Sequence, residues 1–239
     1  MGKATTDSQP TDSCRVDWLS LSYYAASEAL QQKQLAYFVN VLGHVVKEPT
    51  FQDGSGRKFF EHSVFHDAGI ALKWSPPDGS RNPGLLSVDF KGSIFKLLSP
   101  SERAAIYLDA EELEGFKQCT RLDAQRTILE PQADAEQIHR MVANRQCWIA
   151  RYSSYSQVGS VDSKGDAVKG ASVTWGGRDS AARGMTYNKA LEDHWPDVRA
   201  VRHEVMYRRE HARDSFQHLV RLLREEEGPD SKYLAEVRF

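Results

Sequence analysis

The hydrophobic pattern in the first part of the chain changes from the period of a strand to that of a helix and back. Residues 15–24 place β-favouring side chains alternately with serines, which predicts a half-buried strand. Residues 25–46 carry apolar side chains near helical spacing, which predicts an amphipathic helix. Three short β-type runs follow and predict an antiparallel meander with strands at 58–65, 70–74 and 85–91.

The second part of the chain continues with a similar order of elements. The run Ser99-Pro100-Ser101-Glu102 has the spacing of a capping box with proline at the first helical position, so a helix is expected from there to about Glu114. The segment 156–169 is rich in Gly, Ser and Asp and is predicted to be a loop. Further strands are predicted at 119–127, 147–155, 171–175, 185–189 and 198–207, with helices at 134–144 and 208–227.

Both parts open with a strand that carries an Arg-x-Asp sequence, Arg15-Val16-Asp17 and Arg121-Leu122-Asp123. A helix and several strands follow each of them, which predicts an internal duplication of a β-α-β-β-β unit with pseudo-repeats at about 15–98 and 119–207. The expected fold class is α+β, an antiparallel sheet with helices packed on one face. One domain is expected over 14–227, between a disordered tail at 1–13 and a C-terminal tail at 228–239.

The charge and cysteine content narrow the classes of function. A net charge of −2 argues against indiscriminate coating of nucleic acid, so DNA binding would require a local basic face. Residues 140–213 contain 13 Lys+Arg against 8 Asp+Glu, an excess that also suits an ordinary solvated surface. The three cysteines are widely spaced, which indicates neither a disulfide framework nor a cysteine zinc site and fits a reducing cytoplasm. No membrane-spanning run, secretory signal or phosphate-binding loop is expected.

The candidate chemistry centres on Tyr187 and Lys189, two residues apart in a predicted strand. Alternation in a strand would place the phenol and the ammonium on one face, together with Arg183. A neighbouring cation lowers the free energy of a phenolate and can neutralise charge that develops on a phosphate oxygen, so the pair suits a nucleophilic tyrosine. A half-buried tyrosine beside a solvated lysine is the structural alternative.

Five motifs in this order resemble the replication initiation factor family, which includes initiators of rolling-circle plasmids and filamentous phages and is related to mobilisation relaxases. The resemblance covers about 16–212. The motifs are an opening strand at 16–20, a strand with a trailing glycine at 88–92, Thr-Arg-x-Asp at 120–123, Gly-Arg-Asp-Ser at 177–180 followed by the Tyr-x-Lys strand, and Arg-x-Glu at 202–204. The resemblance implies that a tyrosine nicks one DNA strand, with a 5′-phosphotyrosine and a free 3′-OH as products. By the same match, Tyr187 is the nucleophile and Lys189 is its stabilising neighbour.

A divalent cation, Mg²⁺ or Mn²⁺, is expected to polarise the phosphate, and such cations prefer oxygen ligands. Asp89, Asp123 and Glu204 lie in apolar or β-type runs and match family motifs, so they form the predicted ligand set, with Asp17 as a weaker candidate. The alternative for each carboxylate is an ion pair with a nearby arginine such as Arg121 or Arg202. The His-apolar-His motif of many tyrosine nucleases is absent, and the histidines at 62 and 66 are expected to have ordinary structural roles.

Origin DNA, single-stranded or in a hairpin, is the expected partner. Its predicted contacts are Arg178, Arg183, Arg202 and Arg121, with Tyr155 and Trp175 as candidate stacking residues, although a core role is favoured for Trp175. A homodimer and contacts with a host helicase and polymerase are left open. Two other functions fit the same residues: a relaxase for conjugative mobilisation, and a non-catalytic origin-binding regulator in which Tyr187 serves packing.

Overall fold

The computed structural model describes residues 13–47, 50–54, 59–132, 134–144, 155–161, 167–177, 179–195 and 198–225. Its strands are β1 Ser13–Tyr24, β2 Gln52–Asp53, β3 His62–His66, β4 Ile70–Trp74, β5 Leu85–Lys91, β6 Phe116–Leu129, β7 Tyr155–Val161, β8 Ala167–Trp175, β9 Ala182–Asn188 and β10 Ala200–Arg208. Its helices are α1 Glu28–Gly43, α2 Gly92–Phe95, α3 Pro100–Glu112, α4 Ala135–Ala143, α5 Lys189–Asp193 and α6 Arg209–Glu225.

The chain forms two compact units. The larger contains 16–124 and the described residues 206–225, and the smaller contains 13–15 and the described residues of 125–205. In the larger unit the hydrogen-bonded strand order is β2-β3-β4-β5-β1-β6, and in the smaller it is β6-β10-β9-β8-β7, because β6 and β10 contribute residues to both. The pairs for which a register is defined are antiparallel, which confirms the predicted meander of β3, β4 and β5.

Alternation along β1 separates the two faces of the sheet in the larger unit. Leu19, Leu21 and Tyr23 are fully buried in the hydrophobic core, whereas Ser20 and Ser22 point to the other face. β5 pairs with β1 and carries Leu86, Val88 and Phe90 into the same core. We call the opposite side, which holds the serines of β1, the polar face.

Helices α1, α3 and α6 supply the remainder of this core. Phe38 of α1, Tyr107 of α3 and Phe216 of α6 are all almost completely buried with the inward residues of the strands. The Tyr23 hydroxyl donates a hydrogen bond of 2.7 Å to the carbonyl of Ala110, which ties β1 to α3. The helices of the larger unit therefore cover the apolar face of its strands, as expected for the predicted α+β class.

The capping box at the start of α3 is formed as the sequence predicts. The Ser99 hydroxyl accepts from the backbone N–H of Glu102, and the Glu102 carboxylate accepts from the backbone N–H of Ser99. After the helix ends, Gly115 has a φ of +86° that favours glycine. Local signals therefore define this element at both ends.

The order of elements along the chain occurs twice. A long strand (β1 or β6) is followed by a helix (α1 or α4), four more strands, and a helix (α3 or α6). The hydrogen-bonded orders β2-β3-β4-β5-β1 and β7-β8-β9-β10-β6 also match. In the smaller unit, α4 contacts β8 and β9, and α5 contacts β8. The predicted pseudo-repeat boundaries stay a prediction.

Several sequence-based expectations differ from the structure. The predicted loop at 156–169 instead contains most of β7 and the beginning of β8, which pair antiparallel as a hairpin around residues outside the described part. The predicted strand at 147–155 falls outside the described residues except for Tyr155, where β7 begins. The short helices α2 and α5 were not expected. The predicted tails lie outside the described residues, apart from the start of β1 at Ser13.

No helix in the described part of the chain is long and apolar enough to cross a membrane.

Candidate functional site

The centre of the candidate site is a hydrogen bond between neighbouring strands of the smaller unit. The Tyr187 hydroxyl, on β9, donates to Oε1 of Glu204, on β10, over 2.7 Å. The Tyr187 side chain is 8% exposed, so the carboxylate meets the phenol in a largely desolvated position. A carboxylate oxygen thus accepts a hydrogen bond from the one atom of tyrosine that can act as a nucleophile.

A buried arginine lies at the same hydroxyl. Nη1 of Arg202, two residues before Glu204 on β10, is 3.5 Å from the Tyr187 oxygen. Nε of Arg202 donates to the Thr127 hydroxyl of β6 over 3.0 Å, which fixes the plane of the guanidinium. Because Arg202 is only 8% exposed, we interpret it as part of the Tyr187 site, and its predicted contact with DNA stays a prediction.

The electrostatic environment keeps the phenol protonated. Burial raises the pKa of Tyr187 well above its ordinary value, and the negative charge of Glu204 raises it further. The Arg202 guanidinium opposes these effects but does not overcome them. A reaction at Tyr187 would therefore require a base that removes the proton as the new bond forms, and Glu204 is already hydrogen-bonded to that proton.

Lys189 has different neighbours from those the sequence suggested. β9 ends at Asn188, whose side chain accepts from the N–H of Leu191 and begins α5, so Lys189 belongs to a helix. Its ammonium lies 2.5 Å from Glu192 and 2.8 Å from Asp193. Its distance to the Tyr187 ring centroid is 5.9 Å, a contact with the ring rather than with the hydroxyl. The role predicted for Lys189 as stabiliser of the phenolate stays a prediction.

Close packing of β8 against β9 depends on Gly184. This residue pairs with Trp175, and a Cβ at position 184 would lie only 2.0 Å from the Trp175 ring. The indole therefore occupies space that any other side chain at 184 would need. Trp175 is half-buried and does not belong to the hydrophobic core, but its ring packs over Gly184 on the strand that carries Tyr187.

The other two carboxylates of the predicted metal set lie in the larger unit, and each has a partner there. Asp89 of β5 accepts from the Ser20 hydroxyl over 2.5 Å and from the Lys73 ammonium over 2.7 Å. Asp123 of β6 forms a two-point ion pair with Arg121, with nitrogen–oxygen distances of 2.9 and 2.5 Å. Burial raises the pKa of Asp123, although Arg121 opposes the shift.

The described residues contain no group of three or more His, Cys, Asp and Glu side chains that could hold a metal ion. Asp123 shows the ion-pair alternative that the sequence left open, and Asp89 has a lysine in the corresponding role. Asp89, Asp123 and Glu204 therefore do not form a metal-binding site among the described residues.

The remaining predicted DNA contacts are three arginines, and neither of the two described ones has a contact with the Tyr187 hydroxyl among the hydrogen bonds given above. Arg178 lies outside the described residues. Arg183 is half-buried near the start of β9. The Arg121 guanidinium carbon lies 4.2 Å from the ring centroid of Trp18 while its nitrogens bind Asp123.

The histidines named from the sequence have structural partners. The His62 ring stacks on Trp74 at 5.1 Å, and Nδ1 of His66 accepts from the N–H of Ala68. His203 bonds the Thr186 hydroxyl over 2.8 Å, while the next residue on each strand, Glu204 or Tyr187, contributes to the site. Neighbouring strand residues face opposite ways, so His203 lies away from the phenol, as predicted.

Two buried polar residues of β6 had no local sequence signal. Thr127 orients Arg202, and Gln125 lies two positions before Thr127. Both polar atoms of the Gln125 amide are buried, and neither has a hydrogen-bond partner within the described residues. Gln125 is fully buried, so its unsatisfied amide lowers the stability of β6 rather than offering a surface contact.

Comparison with known proteins shows a similarity of fold. No family model and no curated protein matches the chain. The fold is similar to the solved structure of a rolling circle replication initiator protein from Geobacillus stearothermophilus, with a TM-score of 0.69 and 15% sequence identity. The alignment covers 88% of this chain and 80% of that chain. At this identity the comparison shows that the two chains share a fold, an antiparallel sheet with helices.

Proposed function

We propose that this protein is a rolling-circle replication initiator that nicks and rejoins one strand of origin DNA through a covalent bond to Tyr187. The observation that carries the proposal is the hydrogen bond from the Tyr187 hydroxyl to Glu204, with the Arg202 guanidinium beside the same oxygen. The five motifs in family order and the fold shared with a replication initiator support it. DNA is the proposed partner and the cytoplasm the proposed location.

In the proposed reaction, the Tyr187 oxygen attacks the phosphorus of the scissile phosphodiester. A bond forms between the phenol oxygen and phosphorus, the bond from phosphorus to the 3′-oxygen breaks, and the proton of Tyr187 passes to Glu204. The leaving oxygen takes up a proton from solvent and becomes a free 3′-OH, while the 5′-phosphate stays on tyrosine. Reversal of these steps reseals the strand without a nucleotide cofactor.

Arg202 is the proposed source of electrostatic stabilisation. Its position, fixed by Thr127 and largely removed from water, allows it to interact with negative charge on the phenol oxygen or on the phosphate during attack. A preorganised charge in a desolvated site stabilises a transition state more than a solvated one does.

One alternative has direct support from the same site. Tyr187 is 8% exposed and its pKa is raised, both of which suit a packing residue in a non-catalytic, origin-binding regulator. The two functions differ in one product. An initiator leaves a denaturation-resistant protein–DNA adduct on a labelled single-stranded origin oligonucleotide, whereas a regulator binds the oligonucleotide without forming an adduct.

Tyr187→Phe tests the nucleophile. We expect no adduct, because the attacking oxygen is lost, with DNA binding close to that of the wild type. The melting temperature should fall modestly, because Glu204 loses the hydrogen bond from Tyr187. Tyr207→Phe is the matched control, since Tyr207 is also a strand tyrosine, on β10. An undiminished adduct in Tyr187→Phe would overturn the assignment and point to another tyrosine.

Glu204→Gln tests the base. Loss of a general base lowers rates by about 100-fold or more, and Glu210→Gln on the exposed surface of α6 is the control.

Removal of the Glu204 charge also removes one cause of the raised Tyr187 pKa, so this pKa should fall. The residual adduct rate should then rise with pH as the phenolate forms unaided. Tyrosine NMR, with the Tyr187 signal assigned from Tyr187→Phe, measures the pKa shift independently of activity, and an unshifted or higher pKa would contradict the proposal.

Arg202→Lys and Lys189→Met decide which cation acts. We expect the adduct rate to fall by about 10- to 100-fold in Arg202→Lys, because lysine cannot reproduce the fixed planar contact. The expected change in Lys189→Met is only a few-fold, since this ammonium contacts Glu192 and Asp193. A larger loss in Lys189→Met would favour the sequence-based assignment.

The expected requirement for Mg²⁺ or Mn²⁺, with Asp89, Asp123 and Glu204 as its ligands, stays a prediction that can be tested apart from the proposed reaction. Asp89→Asn and Asp123→Asn are expected to weaken Mn²⁺ binding by about tenfold if these carboxylates are ligands, measured by calorimetry and by Mn²⁺ titration of adduct formation. Unchanged titration curves would leave both carboxylates with the ion-pair roles they have in the structure.

A further inference from the structure

An aromatic stripe crosses the polar face of the larger unit. Along β1, Trp18, Ser20, Ser22 and Tyr24 alternate with the core residues, so the four side chains share one face. Trp18 is half-buried and Tyr24 is 44% exposed. Two aromatic rings are thus separated by two small residues, over about 20 Å of strand at ordinary strand rise. We call these four residues the aromatic stripe.

Cations lie over both rings of the stripe. The Arg121 guanidinium is 4.2 Å from the Trp18 ring centroid, and the Lys91 ammonium is 5.8 Å from it. The Lys117 ammonium is 5.2 Å from the ring centroid of Tyr24. Asp123 balances Arg121, and Asp17 adds a second negative charge close to Asp123. Positive charge therefore exceeds negative charge along the stripe.

Hydrogen bonds fix the indole at one end of the stripe. Nε1 of Trp18 donates to the Ser20 hydroxyl over 2.9 Å, and this hydroxyl donates to Asp89, which also binds Lys73. Ser20 and Ser22 are 6% and 9% exposed, so the surface between the two aromatic side chains is recessed. A ring held in advance of binding loses little conformational entropy when a ligand stacks on it.

We propose that the aromatic stripe binds single-stranded DNA, with unpaired bases stacked on Trp18 and Tyr24. Lys91 and Lys117 would face the phosphates, and the Arg121 plane would extend the stacking surface at Trp18. A duplex keeps its base faces stacked within the helix, so aromatic rings with small residues between them suit an unpaired strand. The inference rests on the proposed function only in naming DNA as the nucleic acid, since nicking at an origin exposes an unpaired strand.

Trp18→Ala and Tyr24→Ala test the stripe by fluorescence anisotropy with an oligothymidylate of about 12 nucleotides, within the usual site sizes. Each substitution is expected to weaken binding about tenfold, from the stacking contribution of one base. Trp18→Phe keeps an aromatic ring and should retain most of the affinity. Phe59→Ala removes an exposed aromatic residue elsewhere in the larger unit and should change nothing. Thermal unfolding of every variant separates lost binding from lost folding.

The charged residues have a separate readout. Lys91→Ala and Lys117→Ala should each reduce the slope of log affinity against log salt by about 0.7, the value for one phosphate contact on a single strand. Lys33→Ala is the control, because Lys33 is an exposed lysine paired with Glu114 in the same unit. An unchanged slope in both test variants would remove the phosphate contacts from the proposal.

The outcomes separate this inference from the proposed function. Wild-type protein that forms the Tyr187 adduct, with unaltered oligothymidylate affinity in Trp18→Ala and Tyr24→Ala, would overturn the stripe and leave the nicking function in place. Weakened single-strand binding without any wild-type adduct would support the stripe and overturn the nicking function. Equal weakening for a duplex of the same length would overturn the stacking of unpaired bases.

Discussion

Polar side chains buried on a sheet need hydrogen-bond or ionic partners, and this constraint explains the main side-chain network in each unit. In the larger unit, Ser20 and Lys73 both bind Asp89, and Arg121 binds Asp123. In the smaller unit, Thr127 orients Arg202, which lies beside the Tyr187 hydroxyl bound to Glu204. Each network places ionic or polar groups where burial would otherwise cost several kcal/mol, of the order typical for unpaired buried charges. In the larger unit, the alternation that buries leucines on one side of β1 creates the surface on which its network forms.

The Tyr187 network holds the phenol in its neutral form, which under the proposed function is the resting form of the nucleophile. A phenol with a raised pKa stays neutral until a base withdraws its proton, and Glu204 is already in contact with that proton. Storage as the neutral phenol protects the site from the cost of a buried phenolate when no substrate is present. Arg202 is close enough to act on charge at the same oxygen as it develops. Sequence alone suggested a lysine for this role, because alternation in an assumed longer strand placed Lys189 next to the phenol.

Local signals explain which parts of the structure could be predicted. The bounds of β4 and β5 were predicted correctly, and the capping box at Ser99 correctly began α3 at Pro100. The β7–β8 hairpin was missed, since Gly, Ser and Asp in 156–169 favour turns and its pairing is set by tertiary context. The Asn188 cap that ends β9 competes with the strand pattern at Lys189 and prevails. Thr127 and Gln125 depend on which strands become neighbours, and no local pattern records that.

The repeated strand order bears on how many strand transfers one polypeptide can perform. β4 and β5 hold the place in their set of strands that β9 and β10 hold in theirs, yet they carry the Lys73–Asp89 ion pair instead of a phenol and a carboxylate. An ammonium bound to a carboxylate offers no hydroxyl that could become esterified to DNA. Under the proposed function, the paired strands β9 and β10 would give each molecule one covalent attachment at a time. Release of a closed circle would then require either a second turnover at the same phenol or the cooperation of another copy.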